Sequence, residues 1–152
     1  MDNKESSALT QLIKLQDKNI AVSFSGGKDS LVAVDLALRS GIDRVVFSNT
    51  TIEFDETIHY VEKIGSYYDT QIDIIKAPIT FFEMVDYVGL PSRRFRWCCD
   101  VFKFGPLARY AKQYNLFGFI TGLRKVHWPF KDFSICEFWL QFALQQELFL
   151  KS

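Results

Sequence analysis

Short β-prone apolar runs alternate along this chain with stretches whose apolar residues recur at helical spacing. Residues 6–17 place Leu9, Leu12, Ile13 and Leu15 near a 3.6-residue period, which predicts a short amphipathic helix. Residues 19–24 are an apolar, β-prone run that stops at Ser25-Gly26-Gly27 and reads as a strand. A helical stretch over 29–39 closes at Ser40-Gly41, with Gly41 as its C-terminal cap. Residues 44–48 predict a second strand and 55–68 a second helix. A third strand over 71–76, carrying Ile72, Ile74 and Ile75, is followed by a helix-like run over 79–88. Residues 89–97 hold Pro91 and three arginines and read as a loop. Helical character returns over 101–114, with Pro106 opening its regular part, and 117–121 is a fourth strand that ends at Gly122.

Strands alternating with helices imply βαβ units, and so a parallel sheet with helices on both faces. Crossovers in such a sheet are right-handed, and ligands sit beyond the carboxyl ends of its strands. Three polar segments fall at those ends: residues 25–30, 49–57 and 122–125. Their convergence predicts one site. No internal repeat and no low-complexity linker interrupts the pattern.

The segment with the clearest chemistry is Ser25-Gly26-Gly27-Lys28-Asp29-Ser30. A strand that runs through a glycine turn into a helix start builds an anion cradle. Glycine lets the backbone approach closely, and the unpaired N–H groups of the first helical turn point at the ligand. Ser25 and Ser30 bring hydroxyls, Lys28 a point charge, and Asp29 a carboxylate able to hold a metal ion on a polyphosphate. Two better-known phosphate loops are excluded. A Walker A loop needs glycine where this chain has Val22, and the adjacent Gly26 and Gly27 break the spacing of the dinucleotide fingerprint.

Composition narrows the class. At 152 residues, 48% hydrophobic and 24% charged, the chain reads as one globular domain rather than a disordered or coiled-coil protein. No apolar run is long enough to span a membrane, and the N-terminus lacks the basic-then-apolar order of a secretory signal. Three cysteines, two of them adjacent, fit a reducing compartment. A soluble, cytoplasmic protein without a membrane partner is the expectation. The 18 basic and 18 acidic side chains cancel, but unevenly: the balance is −6 over residues 1–92, +8 over 93–131 and −2 over 132–152. A basic segment inside a neutral chain points to one focused anion site rather than general adhesion to nucleic acid.

Residues 23–30, Ser-Phe-Ser-Gly-Gly-Lys-Asp-Ser, resemble the PP-loop of the adenine-nucleotide α-hydrolase-like superfamily. That group includes N-type ATP pyrophosphatases, tRNA thiolation enzymes and the PAPS and APS (sulfonucleotide) reductases. Residues 49–57, Asn-Thr-Thr-Ile-Glu-Phe-Asp-Glu-Thr, are similar to the reductase segment Asp-Thr-Gly-x-x-Phe-Pro-Glu-Thr. Arg96-Trp97-Cys98-Cys99, with Lys103 and Pro106-Leu107 behind it, resembles the reductase stretch Arg-x-Cys-Cys-x-x-x-Lys-x-x-Pro-Leu. Thr121-Gly122-Leu123-Arg124 is similar to a Thr-Gly-Leu/Val-Arg turn, and all four stretches stand in family order. The resemblance implies a PP-loop, Rossmann-like fold that binds PAPS, APS or ATP, with Mg²⁺ accompanying ATP. It implies nucleotide contacts from Ser25, Gly26, Gly27, Lys28, Asp29, Ser30, Asn49, Thr50, Glu56 and Arg124, with Glu56 and Thr57 orienting the loop. Asn49 stands where much of the family has Asp, Thr51 where it has Gly, and Asp55 where it has Pro. For the reductase branch the resemblance further implies sulfur assimilation and a thioredoxin-like reductant. For the other branches it implies adenylation, with tRNA as an acceptor.

The cysteines leave the chemistry open. An iron–sulfur cluster takes four thiolates, and Cys98, Cys99 and Cys136 are one short, so Cys98 and Cys99 form a partial site. Neither His59 nor His127 completes a standard zinc pattern. Cys136 lacks the Glu-Cys-Gly-x-His context of a reductase nucleophile, and the plain reading makes Cys98 and Cys99 half-buried thiols at a helix start. Residues 1–125 are expected to form the nucleotide-binding domain. Residues 126–152 carry Trp128, Phe130, Phe133, Phe138, Trp139, Phe142 and Phe149 with no glycine, and are expected to form a helical tail that supports self-association. No family pattern is recognisable there, so the chain is read as truncated or altered after about Lys125. Three functions stay open: a PAPS/APS reductase-like enzyme, an ATP pyrophosphatase, and a non-catalytic nucleotide-binding module.

Overall fold

The computed structural model describes residues 3–122, and the expected tail over 126–152 lies outside them. Four strands, β1 (Ile20–Phe24), β2 (Val45–Asn49), β3 (Ile72–Lys76) and β4 (Gly118–Thr121), form one parallel sheet in the order β3-β2-β1-β4. Helices α1 (Asn3–Ile13), α2 (Lys28–Arg39), α3 (Asp55–Tyr67) and α4 (Phe81–Val88) alternate with the first three strands. A last helical stretch precedes β4. It consists of α5 (Trp97–Cys99), a π-helical turn (Asp100–Phe104) and α6 (Gly105–Gln113).

The two-residue period of each strand sends alternate side chains to opposite faces. Ile20, Val22 and Phe24 of β1 and Val45 and Phe47 of β2 pack with Val34 and Ala37 of α2 and Val61 of α3. Ala21, Val46 and Phe119 point the other way, onto Leu107, Tyr110 and Ala111 of α6. Burial on both faces is why these strands read as continuous apolar runs. Each large apolar side chain removed from water contributes about 1.5–3 kcal/mol. A smaller cluster of Ala77, Trp97 and Phe102, with Phe81 stacked on Trp97, seats α4 and the π-helical turn. Among the described residues no helix is long and apolar enough to cross a membrane.

The chain builds outward from β1 through β2 to β3, then returns to the far side of β1 as β4. The order therefore reverses between β1 and β4, where open α/β sheets place their ligands.

The elements expected over residues 6–121 are all present, with three differences. The first helix spans Asn3–Ile13 rather than 6–17, because the chain tightens after it into i→i−3 turns, Leu15 N–H to Leu12 O at 2.9 Å and Gln16 N–H to Ile13 O at 3.3 Å. Helix resumes at Trp97, within the expected loop, because the Trp97 ring is buried and holds that end. The π-helical turn has no counterpart in the sequence reading. Its widened bond runs from Gly105 N–H to Asp100 O, and glycine suits it because a Cβ at 105 would stand 3.1 Å from that oxygen. Pro106 has no N–H to give the Phe102 carbonyl four residues back. Ser48 of β2 supplies the missing donor, its Oγ–H reaching Phe102 O at 2.8 Å. Replacing Ser48 by Ala orphans that carbonyl and should cost about 1–3 kcal/mol in urea denaturation.

Across the α6 face, the Tyr110 hydroxyl donates to the Asp73 carboxylate of β3. Burial first, and then this bond to Asp73, push the Tyr110 phenol up to about 12. A phenol raised in the folded state holds its proton longer than in the unfolded chain. Its contribution to stability is complete below the ordinary tyrosine value near 10 and is lost as pH rises through about 12. Spectrophotometric titration should show Tyr110 ionising late, and Asp73→Asn should bring its pKa down.

Candidate functional site

At the carboxyl end of β1 the chain turns through Ser25, Gly26 and Gly27 into α2. Gly26 sits at φ 74°, where a side chain is strained, and Gly27 is the N-cap of α2 with no side-chain cap. Ser30, 5% exposed, braces this turn. Its Oγ–H donates to Gly27 O at 2.8 Å, and its oxygen accepts the Ser25 N–H at 3.2 Å. The Ser25 and Ser30 hydroxyl oxygens stand 3.0 Å apart. The proton of Ser30 is already given to Gly27, so Ser25 is the donor in that pair. Both hydroxyl protons are thus spent inside the loop. What the loop offers an anion is the set of backbone N–H groups at the start of α2, with the exposed ammonium of Lys28 beside them. Asp29, also exposed, completes the first turn of the helix.

The segment after β2 is held by its own side chains. Asn49 Oδ1 accepts the Thr51 N–H at 2.8 Å, and buried Thr50 donates its hydroxyl to Glu53 Oε1 at 2.7 Å. Thr51 lies at φ 67°, a left-handed conformation that a β-branched residue rarely adopts. It is the position where the similar reductase segment has glycine. Here the Asn49 bond, and a second from the Phe81 N–H to Thr51 Oγ1 at 2.8 Å, hold the strained residue and start α4. Glu56 is exposed in the first turn of α3. The next residue, Thr57, reaches the phosphate-type loop: its Cγ2 would be 3.6 Å from a Cβ on Gly26.

The third segment closes the arrangement. A Cβ on Gly122, just past β4, would fall 2.6 Å from the carbonyl carbon of Asp29 and from the Ser30 nitrogen. Residue 122 must be glycine for the end of β4 to lie on the first turn of α2. The structure thus links residues 25–30 to both Thr57 and Gly122, while Arg124 lies outside the described residues. The sequence places Gly122 and Thr51 in segments expected at this site, but it does not show the close contact that requires glycine at 122 or the left-handed backbone at 51. The glycine directly after a buried strand was the available signal for the first, whereas nothing in the local sequence marks Thr51 as left-handed.

Cys98 and Cys99 are half-buried in the short helix α5, as a pair of helix-start thiols should be. Burial, and then the neighbouring Cys99, push the Cys98 thiol above its ordinary value, while Arg96 donates to Cys99 Sγ at 3.5 Å. Asp100, next in the chain, is also raised, by its own burial.

The family model for the phosphoadenosine phosphosulfate reductase domain matches residues 19–131. This chain belongs to that family. Members with related sequence include an uncharacterized protein of Methanocaldococcus jannaschii, 39% identical over 113 residues, or 72% of this chain and 27% of that protein. A second uncharacterized protein of the same organism is 36% identical over 74% of this chain and 24% of its own length. An adenosine 5′-phosphosulfate reductase of Mycobacterium bovis is 34% identical over 64% of this chain and 39% of that enzyme. The PAPS reductase domain seen here therefore spans about a quarter of the archaeal proteins. In fold it matches the phosphoadenylyl-sulfate reductase of Candida auris with a TM-score of 0.55 at 19% identity, covering 82% of this chain and 70% of that one. The NH3-dependent NAD synthetase of Campylobacter jejuni shares the fold, with a TM-score of 0.52 at 12% identity over 76% of this chain and 55% of that one.

An iron–sulfur cluster, where PAPS reductase domains carry one, needs four thiolates. The described residues supply Cys98 and Cys99, and among them no group of three or more His, Cys, Asp or Glu converges. They do not fit a cluster by themselves, and Cys136 and His127 lie outside them.

The two glycines of this assembly, Gly26 and Gly122, act for different reasons, so their alanine variants should separate. Gly26→Ala has room but a strained backbone, and should cost about 1–2 kcal/mol. Gly122→Ala drives a methyl group into the Asp29–Ser30 peptide, and should cost about 1–3 kcal/mol while shifting the start of α2. Urea denaturation gives the energies. Amide exchange at residues 28–31 should be accelerated in the Gly122 variant.

Proposed function

We propose that this domain binds an adenosine phosphosulfate, PAPS or APS, at the 25–30 loop and forms the nucleotide-binding part of a sulfonucleotide reductase of sulfur assimilation. The observation that carries this reading is the uncapped start of α2, at the reversal point of a sheet that belongs to the PAPS reductase family. A phosphosulfate is a multiply charged anion with tetrahedral phosphorus and sulfur, each carrying several acceptor oxygens. Backbone N–H groups at a helix start suit it, because they present several donors in fixed positions with the positive end of the helix dipole behind them. Lys28 adds a mobile charge at the mouth, and Arg124, just past Gly122, adds a forked donor able to take two anion oxygens. Asn49 at the end of β2, Thr50 just past it and Glu56 in the first turn of α3 form the second rim, the side assigned here to the nucleoside. Asn49 accepts through its Oδ1 and Thr50 gives its hydroxyl proton to Glu53, so the turn is a preformed wall on which the Asn49 amide keeps its N–H donors.

In a sulfonucleotide reductase a thiolate attacks the sulfonate sulfur, the bond from sulfur to the bridging oxygen breaks, and the nucleotide leaves on its phosphate. A dithiol such as that of a thioredoxin-like protein then attacks the cysteine sulfur of the enzyme-bound thiosulfonate, and sulfite leaves with the electron pair of the broken S–S bond. The second thiol resolves the mixed disulfide, so the dithiol is oxidised to a disulfide and the enzyme thiol is regenerated. No described residue is assigned as that thiolate: burial keeps Cys98 protonated. The role argued for this domain is to hold and orient the nucleotide.

Calorimetric titration of the reduced full chain with PAPS, APS and ATP·Mg²⁺ tests the reading. A phosphosulfate should bind in preference to ATP·Mg²⁺. Lys28→Ala and Arg124→Ala should each remove a charge-assisted contact worth about 1.5–3 kcal/mol, weakening binding roughly ten- to hundred-fold. Preference for ATP·Mg²⁺, or affinity unchanged in both variants, overturns it.

A further inference from the structure

We infer that the open edge of β3 is a self-pairing surface on which two copies of this chain join their sheets antiparallel about a twofold axis. The inference does not rest on the nucleotide reading, because β3 lies two strands away from β1 and its loop.

Among the described residues β3 pairs only with β2, so its outer side presents backbone donors and acceptors with no strand beyond them. Natural edges are commonly blunted by charged side chains or proline. β3 carries Asp73 and Lys76, but Asp73 is turned to the α6 face and engaged by Tyr110, and the strand's centre is Ile74, 43% exposed. Ile72 packs on the α2/α3 face and Ile75 on the α6 face, so alternation puts Ile72, Ile74 and Lys76 together on the α2/α3 face. Beside them, between α3 and β3, runs a groove of about 390 Å³. Val61, Ile72 and Ile74 contribute its apolar lining, and Glu62 and Asp69 give it two carboxylates with no basic residue among its walls.

This pattern is self-complementary in one register. A twofold axis normal to the sheet keeps each face on its own side, and reverses the strand, so only registers that pair residues of like parity are allowed. With the axis at Ile74, Ile74 meets Ile74 of the second copy and Lys76 meets Ile72 of the second copy. Lys76, exposed at the end of β3, then extends toward the other copy's acidic groove, and the reciprocal contact follows from symmetry. The exposed isoleucines are covered, both edges gain backbone partners, and the carboxylates gain counter-charges. The sheet grows from four strands to eight.

Sedimentation velocity of the full chain over a range of concentrations tests this. The wild-type chain should show a concentration-dependent monomer–dimer equilibrium. Ile74→Lys places two ammonium groups opposite each other at the axis and should weaken the dimer by at least about ten-fold. Lys76→Glu should weaken it as well, and Lys76→Glu combined with Glu62→Lys should restore it, because the charges are exchanged on both copies at once. Circular dichroism melts verify that each variant is folded, and Lys76→Glu, at an exposed position, serves if Ile74→Lys is not. Three results overturn the inference: a monomer at every concentration, a dimer indifferent to Ile74→Lys and Lys76→Glu and therefore joined elsewhere, such as through residues 126–152, or a charge exchange that restores nothing.

Discussion

Gly122 lies so close to the peptide joining Asp29 and Ser30 that a single methyl group cannot fit between them. Much of the site follows from this contact. It brings the end of β4 onto the first turn of α2, which fixes where that helix begins relative to the sheet. The orientation of its leading N–H groups is then set by packed backbone rather than by flexible side chains. Ser30, one residue into the same turn, uses its hydroxyl to hold the Ser25–Gly27 loop from the inside. A loop that spends its hydroxyl protons on itself is stiff, and stiffness is what lets backbone dipoles act on an anion without reorganising.

The second rim of the site is built on the opposite principle. Where the contact at Gly122 depends on having no side chain, the turn after β2 depends on side chains that compensate an unfavourable backbone. Thr51 is left-handed and β-branched, and it persists because Asn49 and the start of α4 both bond to it. Asn49 keeps the side-chain oxygen that the Asp of the similar reductase segment would also offer the Thr51 N–H, so the turn survives that substitution. An amide oxygen at 49 caps the turn, and the hydroxyl at 51 links that turn to the aromatic cluster around Trp97 and Phe102.

Much of this architecture was legible in the sequence. The strands at 19–24 and 44–48 stood out because burial on both faces makes them nearly continuous apolar runs, those at 71–76 and 117–121 as short β-prone apolar runs, and Ser25-Gly26-Gly27-Lys28 marked a strand-to-helix anion loop. Other features were not legible, for physical reasons. Strand order does not follow from periodicity, since every parallel arrangement gives the same apolar runs. The left-handed Thr51 is a product of tertiary hydrogen bonds, which local propensity cannot report. Trp97 resembled part of a polar, arginine-rich loop, and only its burial reveals it as the start of a helix. Pro106 was legible as the opening of a regular helix, and α6 does begin at Gly105, but the partner of the Phe102 carbonyl was not. In the fold Ser48 on a distant strand takes over that carbonyl, which the proline leaves unpaired.

The π-helical turn at Asp100–Phe104 carries a consequence for how this family can diverge. Such a turn is geometrically one residue too many for an α-helix, so an insertion or deletion of one residue there need not interrupt the helix. The wider turn takes up the extra residue, so the segments on either side keep their relative orientation when that residue is lost. Trp97, Cys98 and Cys99 occupy the N-terminal side. A relative one residue shorter in this turn therefore still presents its adjacent thiols in the same direction, and chain length can vary here without disturbing them.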